Sequence, residues 1–144
     1  MNKIEADTKL DFSNVLIRPK RSTVSSRSEV DLEREFKFVN RQGGASWKGV
    51  PVIAANMDTT GTFSVYETLS KYKIITALHK FYRLGDFQEY LQNNSLDPDL
   101  FMVSTGISDA NFDNLTTILD NIDCNWICVD IANGYISKLV EFCR

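Results

Sequence analysis

From residue 50 onward the chain repeats one pattern: a short apolar run, a polar break, then an amphipathic stretch. Val50-Pro51-Val52-Ile53-Ala54-Ala55 passes into Asn56, Asp58, Thr59 and Thr60, then Gly61 and a stretch of helical spacing from Phe63 to Lys71. A continuous apolar run bounded by turn residues reads as a strand buried on both faces. Ile74-Ile75-Thr76-Ala77-Leu78 ends in His79-Lys80 and leads to a predicted helix from Leu84 to Gln92. Phe101-Met102-Val103-Ser104-Thr105-Gly106 ends in Ser108-Asp109 and leads to a helix from Ala110 to Asn121. Trp126-Ile127-Cys128-Val129-Asp130-Ile131-Ala132 ends in Asn133-Gly134, with a helix beginning near Ile136. Strands starting close to residues 50, 74, 101 and 126 leave room each time for strand, loop, helix and loop. The pattern predicts parallel βα units, whose ligands gather at the carboxyl ends of the strands.

The first 49 residues follow a different pattern. Val30, Leu32, Phe36 and Phe38 share one parity within Val30–Phe38, which predicts a half-exposed strand. Asn40-Arg41-Gln42-Gly43-Gly44-Ala45-Ser46 is the clearest loop. The expected organisation is therefore an N-terminal arm over residues 1–49, whose antiparallel strands lid one end of the sheet, followed by βα units over 50–144.

Composition narrows the class. At 144 residues, 43% hydrophobic and 24% charged, the chain has room for one globular core. A net charge of -3 gives no global attraction to nucleic acid or to an anionic membrane. No apolar run reaches the ~20 residues of a membrane span, and the N-terminus has no apolar signal region, so a cytoplasmic protein is expected. Cys124, Cys128 and Cys143 fit neither a disulfide framework nor a zinc ribbon and read as small buried hydrophobes. The single histidine, His79, excludes a histidine metal cluster.

The candidate chemistry lies at the strand ends. Asn56, Met57 and Asp58 could meet a planar ring, or the two polar residues could simply bond loop backbone and cap the next helix. Lys80 could meet an anion or lie on the surface, and the Ser104–Asp109 stretch reads as a helix N-cap. Asp130 sits late in an apolar run, where a carboxylate must find partners. Arg18, Lys20, Arg21 and Arg27 with their interleaved serines form either a phosphate-binding segment or a solvated basic loop. No aromatic residue is interleaved with these charges, which speaks against nucleic acid. No dinucleotide or mononucleotide glycine fingerprint and no nucleophile elbow is present.

Seven blocks together closely resemble the IMP dehydrogenase/GMP reductase family, on its reductase side: Lys9–Phe12, Val15–Ser22, Ala55–Thr59, Gly61–Phe63, His79-Lys80, Val103–Gly106 and Val129–Tyr135. The resemblance implies a (β/α)8 TIM barrel, tetrameric assembly, and reductive deamination of GMP to IMP and ammonia with NADPH as hydride donor. It implies that Ser26 and Arg27 reach the cofactor of a neighbouring subunit and that Lys80 contacts cofactor. Asp130, Ile131 and Ala132 would lie beside the nicotinamide ribose, with Asn56, Met57 and Asp58 at the purine nucleotide. The family's cysteine loop, which also binds potassium, has no counterpart here, so none of the three cysteines takes the catalytic role. A barrel of this kind needs ~250 residues, and four strand-helix units make its first half. Such a half-barrel leaves its fourth strand unpaired and is expected to self-associate. A truncated, non-catalytic binding or assembly module and an IMP dehydrogenase-like enzyme are the alternatives.

Overall fold

The computed structural model describes residues 6–38 and 46–144, in two units, one up to Asp31 and one from Leu32 to Arg144. The predicted loop over Asn40–Ala45 lies outside the described residues; Ser46, assigned to that loop, is instead the first residue of a strand.

The first unit contains two short 3-10 turns, Phe12–Asn14 and Arg27–Glu29. The Asp11 carboxylate accepts from the Phe12 amide at 2.7 Å, and the Asp11 amide donates to Asn14 Oδ1 at 3.0 Å. Such local bonds hold a turn but bury no core. Phe12, Leu16 and Ile17 remain over nine-tenths exposed.

The second unit opens with an antiparallel pair, β1 (Arg34–Lys37) and β2 (Ser46–Gly49), with Phe36 opposite Trp47. The predicted strand from Val30 is thus shorter at its start: Val30 caps the second 3-10 turn and Leu32 is exposed ahead of β1. Alternation marked the strand correctly where its apolar face has aromatic partners. Phe36, Phe38, Trp47 and Trp126 form one aromatic cluster, with Trp126 edge-on to both Phe38 and Trp47. Both indole N–H groups donate to the Asp99 carbonyl, at 2.9 and 3.2 Å, which satisfies the polar atom of each ring as burial requires.

The sheet proper runs β3 (Ile53–Ala54), β4 (Ile75–Leu78), β5 (Phe101–Thr105) and β6 (Ile127–Val129), all parallel and paired in sequence order. The helices between and after them are α1 (Phe63–Leu69), α2 (Leu84–Leu91), α3 (Asp109–Leu119) and α4 (Ser137–Phe142). Four sequential parallel βα units are the first half of a (β/α)8 barrel. β3 is short because Pro51 has no amide proton to give a ladder.

The aromatic hairpin lies over the amino ends of the strands. Phe36, Phe38, Trp47 and Trp126 share a cavity of about 300 Å³ with Ile53 and Ile75, which start β3 and β4, and with Met102, the second residue of β5. The Val50 amide donates to the Lys73 carbonyl at 3.0 Å, and Lys73 reaches back to Glu33 at 2.7 Å. That bond holds the Glu33 carboxyl below its ordinary range. The β1–β2 pair thus packs beside the residues that start the strands.

The helix-facing side of the sheet carries the core. Phe101 is fully buried, edge-on to Tyr66, and packs with Phe87, Leu78, Val103, Leu115 and Ile118. Thr76 is also fully buried, and its hydroxyl has no hydrogen-bond partner among the described residues. An unpaired buried hydroxyl costs more than the apolar group it replaces. Thr76→Val is expected to raise unfolding stability by about 1 kcal/mol, checked by urea denaturation; a loss of that size would mean the hydroxyl has a partner.

Candidate functional site

Asn56, Met57 and Asp58 follow β3 after Ala55, in the loop that leads to α1. Their polar side chains do not cap that helix. The cap is Thr62, whose hydroxyl accepts from the Val65 amide at 3.3 Å. Met57 is 60% exposed, and its carbonyl accepts from the amides of Thr60 and Gly61, which folds the loop over. Gly61 is buried against β4. A Cβ there would stand 2.3 Å from the Ala77 carbonyl oxygen, 3.0 Å from the His79 amide nitrogen and 3.0 Å from Asn56 Cα. Only glycine lets this loop sit on the end of β4, and the His79 amide donating to the Gly61 carbonyl at 2.9 Å fixes it there.

His79 and Lys80 follow β4 at once. The imidazole stacks on Tyr82, with ring centroids 3.9 Å apart and planes 17° from parallel. Tyr82 is itself stacked close to Phe63 at the start of α1. Lys80 Nζ lies 3.7 Å from Asp130 Oδ2, spanning the end of β5. The Asp130 amide donates to the Thr105 carbonyl at 2.8 Å, continuing the β5–β6 ladder one step past β6. Asp130 is thus not inside a buried strand, as the apolar run suggested. It stands exposed just after β6, and its partner is Lys80. With side chains 39% and 46% exposed, such a pair contributes at most about 1 kcal/mol to stability. It is open enough for an incoming ligand to take over either charge. Ile131, half-buried, and Ala132, exposed, continue the same segment.

Other expected residues lie elsewhere. Ser26 and Arg27 belong to the first unit, where the Ser26 hydroxyl accepts from the Ser28 amide at 3.3 Å and Arg27 is exposed. Arg18, Lys20 and Arg21 are exposed in the same unit. Of the predicted cap stretch only Ser108 caps α3, through a hydroxyl accepting from the Asn111 amide at 3.2 Å. Ser104 belongs to β5 and is buried, because its parity turns it away from the loop. Cys124 is half-buried, its thiol donating to the Trp126 carbonyl at 3.1 Å; burial pushes that thiol up. Cys128 is half-buried too, but Cys143 is exposed, which corrects its reading as a buried hydrophobe. Among the described residues no group of histidine, cysteine and carboxylate side chains could hold a metal ion, and no helix is long and apolar enough to cross a membrane.

The fold and the placement of these groups define a class: a parallel βα half-barrel whose polar residues stand at the carboxyl ends of successive strands. No protein-family model matches the chain. It is 52% identical, over 142 residues and 97% of its length, to GMP reductase from Escherichia coli O81 (strain ED1a). The identity is the same to GMP reductase from Escherichia coli strain K12 / DH10B. The chain spans 40% of the length of these curated relatives and is similar to their N-terminal portion. Among solved structures, inosine 5' monophosphate dehydrogenase from Legionella pneumophila matches with a TM-score of 0.67 at 21% identity, over 91% of this chain and 38% of that one. That likeness supports the barrel fold.

Proposed function

We propose that this chain is the N-terminal part of a GMP reductase and forms the cofactor side of its site. The observation that carries the reading is the Lys80–Asp130 pair, set across three neighbouring strand ends beside the Asn56–Asp58 loop. Similarity to GMP reductases over 97% of the chain supports the same assignment. In this reading the whole enzyme reduces GMP to IMP and ammonia in purine salvage, as a cytoplasmic tetramer. NADPH supplies the hydride. Lys80 offers its ammonium to the cofactor's oxygens, and Asp130, with Ile131 and Ala132, meets the ribose hydroxyls. Ser26 and Arg27 extend the cofactor contact from a neighbouring subunit, while Asn56, Met57 and Asp58 face the purine nucleotide. The nucleophile and the potassium site belong to parts of the enzyme beyond these residues, so the chain by itself is expected to be inactive.

Because the Lys80–Asp130 pair adds little to folding, its removal should read out on function. In the complete enzyme Lys80→Ala and Asp130→Ala are expected to raise the KM for NADPH on the order of tenfold each, about 1.4 kcal/mol of lost binding, with the KM for GMP nearly unchanged. Steady-state kinetics with each substrate varied in turn decides it. Unchanged NADPH kinetics in both variants would remove these residues from the cofactor site.

A further inference from the structure

Asn133 and Gly134, the polar break after β6, belong neither to the Lys80–Asp130 pair nor to the Asn56–Asp58 loop. Among the asparagines of the sequence only Asn133 precedes a glycine. That order matters chemically, because the amide nitrogen of the following residue can attack an asparagine's own side-chain carbonyl, and a glycine offers no side chain to obstruct the approach. The attack needs a side chain folded back over the next peptide, an open nitrogen, and water.

The loop supplies all three. The Tyr135 amide donates to Asn133 Oδ1 at 3.0 Å, an Asx turn that folds the side chain back over the Gly134 peptide. The Gly134 amide itself donates no hydrogen bond among the described residues, and Asn133, Gly134 and Tyr135 are all exposed. The Tyr135 N–H also points at the oxygen on which charge develops during the attack, as an oxyanion donor does in an enzyme site. Asn94 and Asn121 are held differently. Their side-chain amides donate to the Tyr90 and Thr117 carbonyls one helical turn back, which ties them away from the next peptide.

We infer that Asn133-Gly134 is a self-modification site, at which water converts the Asn133 amide to a carboxylate without an enzyme, and that the conversion weakens the hold on NADPH. The Gly134 nitrogen gives its proton to hydroxide and bonds to Asn133 Cγ. The Cγ–Nδ2 bond then breaks, and Nδ2 leaves as ammonia with a proton from water. The cyclic imide that remains adds water at either carbonyl and opens to aspartate or isoaspartate, with no change of oxidation state. Both products place a new negative charge directly after the Asp130–Ala132 segment, and isoaspartate also lengthens the main chain by a methylene. The effect on NADPH rests on the GMP reductase reading; the conversion itself does not.

The native protein carrying this sequence, made from its complete coding region, is held at mildly alkaline pH without substrates, beside Gly134→Ala, and both are mapped by peptide mass spectrometry. A Cβ at position 134 would meet only Leu139 Cδ2, at 4.0 Å, so this variant keeps the fold. The parent is expected to convert at Asn133 ahead of every other asparagine, faster as pH rises and no slower folded than in urea, while Gly134→Ala keeps its Asn133 amide. An Asn133 that converts in urea but stays intact in the folded protein, or that converts no faster than Asn94, would overturn the site. The converted protein and Asn133→Asp are each expected to raise the KM for NADPH on the order of fivefold, the size of one added like charge in water. Conversion with unchanged NADPH kinetics would overturn the effect on the cofactor. Fresh protein that oxidises no NADPH with GMP would overturn the reading beneath it.

Discussion

Gly61→Ala is expected to weaken the fold and the candidate site together, although it adds a single methyl group. The new Cβ would meet three atoms, the Ala77 carbonyl oxygen at 2.3 Å, the His79 nitrogen and Asn56 Cα, and all three belong to backbone. A flexible side chain could swing aside from such a contact; a strand carbonyl held in a parallel ladder cannot. Overpacking of this kind costs about 1–3 kcal/mol and more where the backbone must move, so a loss of about 3 kcal/mol is expected. The loop carrying Asn56, Met57 and Asp58 should lift from the end of β4, and GMP affinity should fall with it. Gly85→Ala is the matched control, because nothing lies within 4 Å of the added methyl. Gly85 lies in α2, where alanine is the better helix former, so a gain of about 0.5–1 kcal/mol is expected there. Chemical denaturation of the two variants side by side checks both signs. Equal stabilities would mean that the loop does not seat on β4 as described.

Phe101→Ala is expected to cost about 3–5 kcal/mol. Phe101 begins β5, is fully buried, and touches both Tyr66 of α1 and Phe87 of α2, so one ring ties two helices to the middle of the sheet. Total stabilities of small domains run to about 5–15 kcal/mol. A loss of that size is a large share of such a total, and the variant should be largely unfolded at 37 °C. Leu115→Ala, on α3 and 6% exposed, touches the same core from one side and should cost less, about 2–3 kcal/mol. Thermal melts followed by circular dichroism order the two, and a Phe101→Ala protein as stable as Leu115→Ala would place the centre of the core elsewhere.

Much of the architecture was legible because strands buried on both faces have to be written as apolar runs. Ile75–Leu78 and Phe101–Thr105 fall inside the runs read as strands, and α2 starts at the expected Leu84. The runs overstated the outer strands. β3 keeps two residues of its six-residue run, cut at its start by Pro51, and β6 three of seven, since its pairing with β5 ends at Val129. Asp130 followed from the same effect: the run continued past the point where pairing stops, so an exposed carboxylate was read as a buried one. Its pairing with Lys80 joins residues 50 positions apart and depends on sheet order, which local pattern does not carry. Ser104, five positions before α3, was read as part of the cap stretch. Counting parity from Met102 would have placed it on the inner face. The aromatic lid was visible as alternation from Phe36 to Phe38, but its third and fourth members, Trp47 and Trp126, come from distant segments and were not.

The most direct test of the account is the reaction of the native protein that carries this sequence, isolated as its source cell makes it. Supplied with GMP and NADPH, it should oxidise NADPH only in the presence of GMP, releasing one IMP and one ammonia for each NADPH consumed. NADPH left unchanged by GMP, or IMP oxidised with a nicotinamide acceptor instead, would contradict the assignment to GMP reductase.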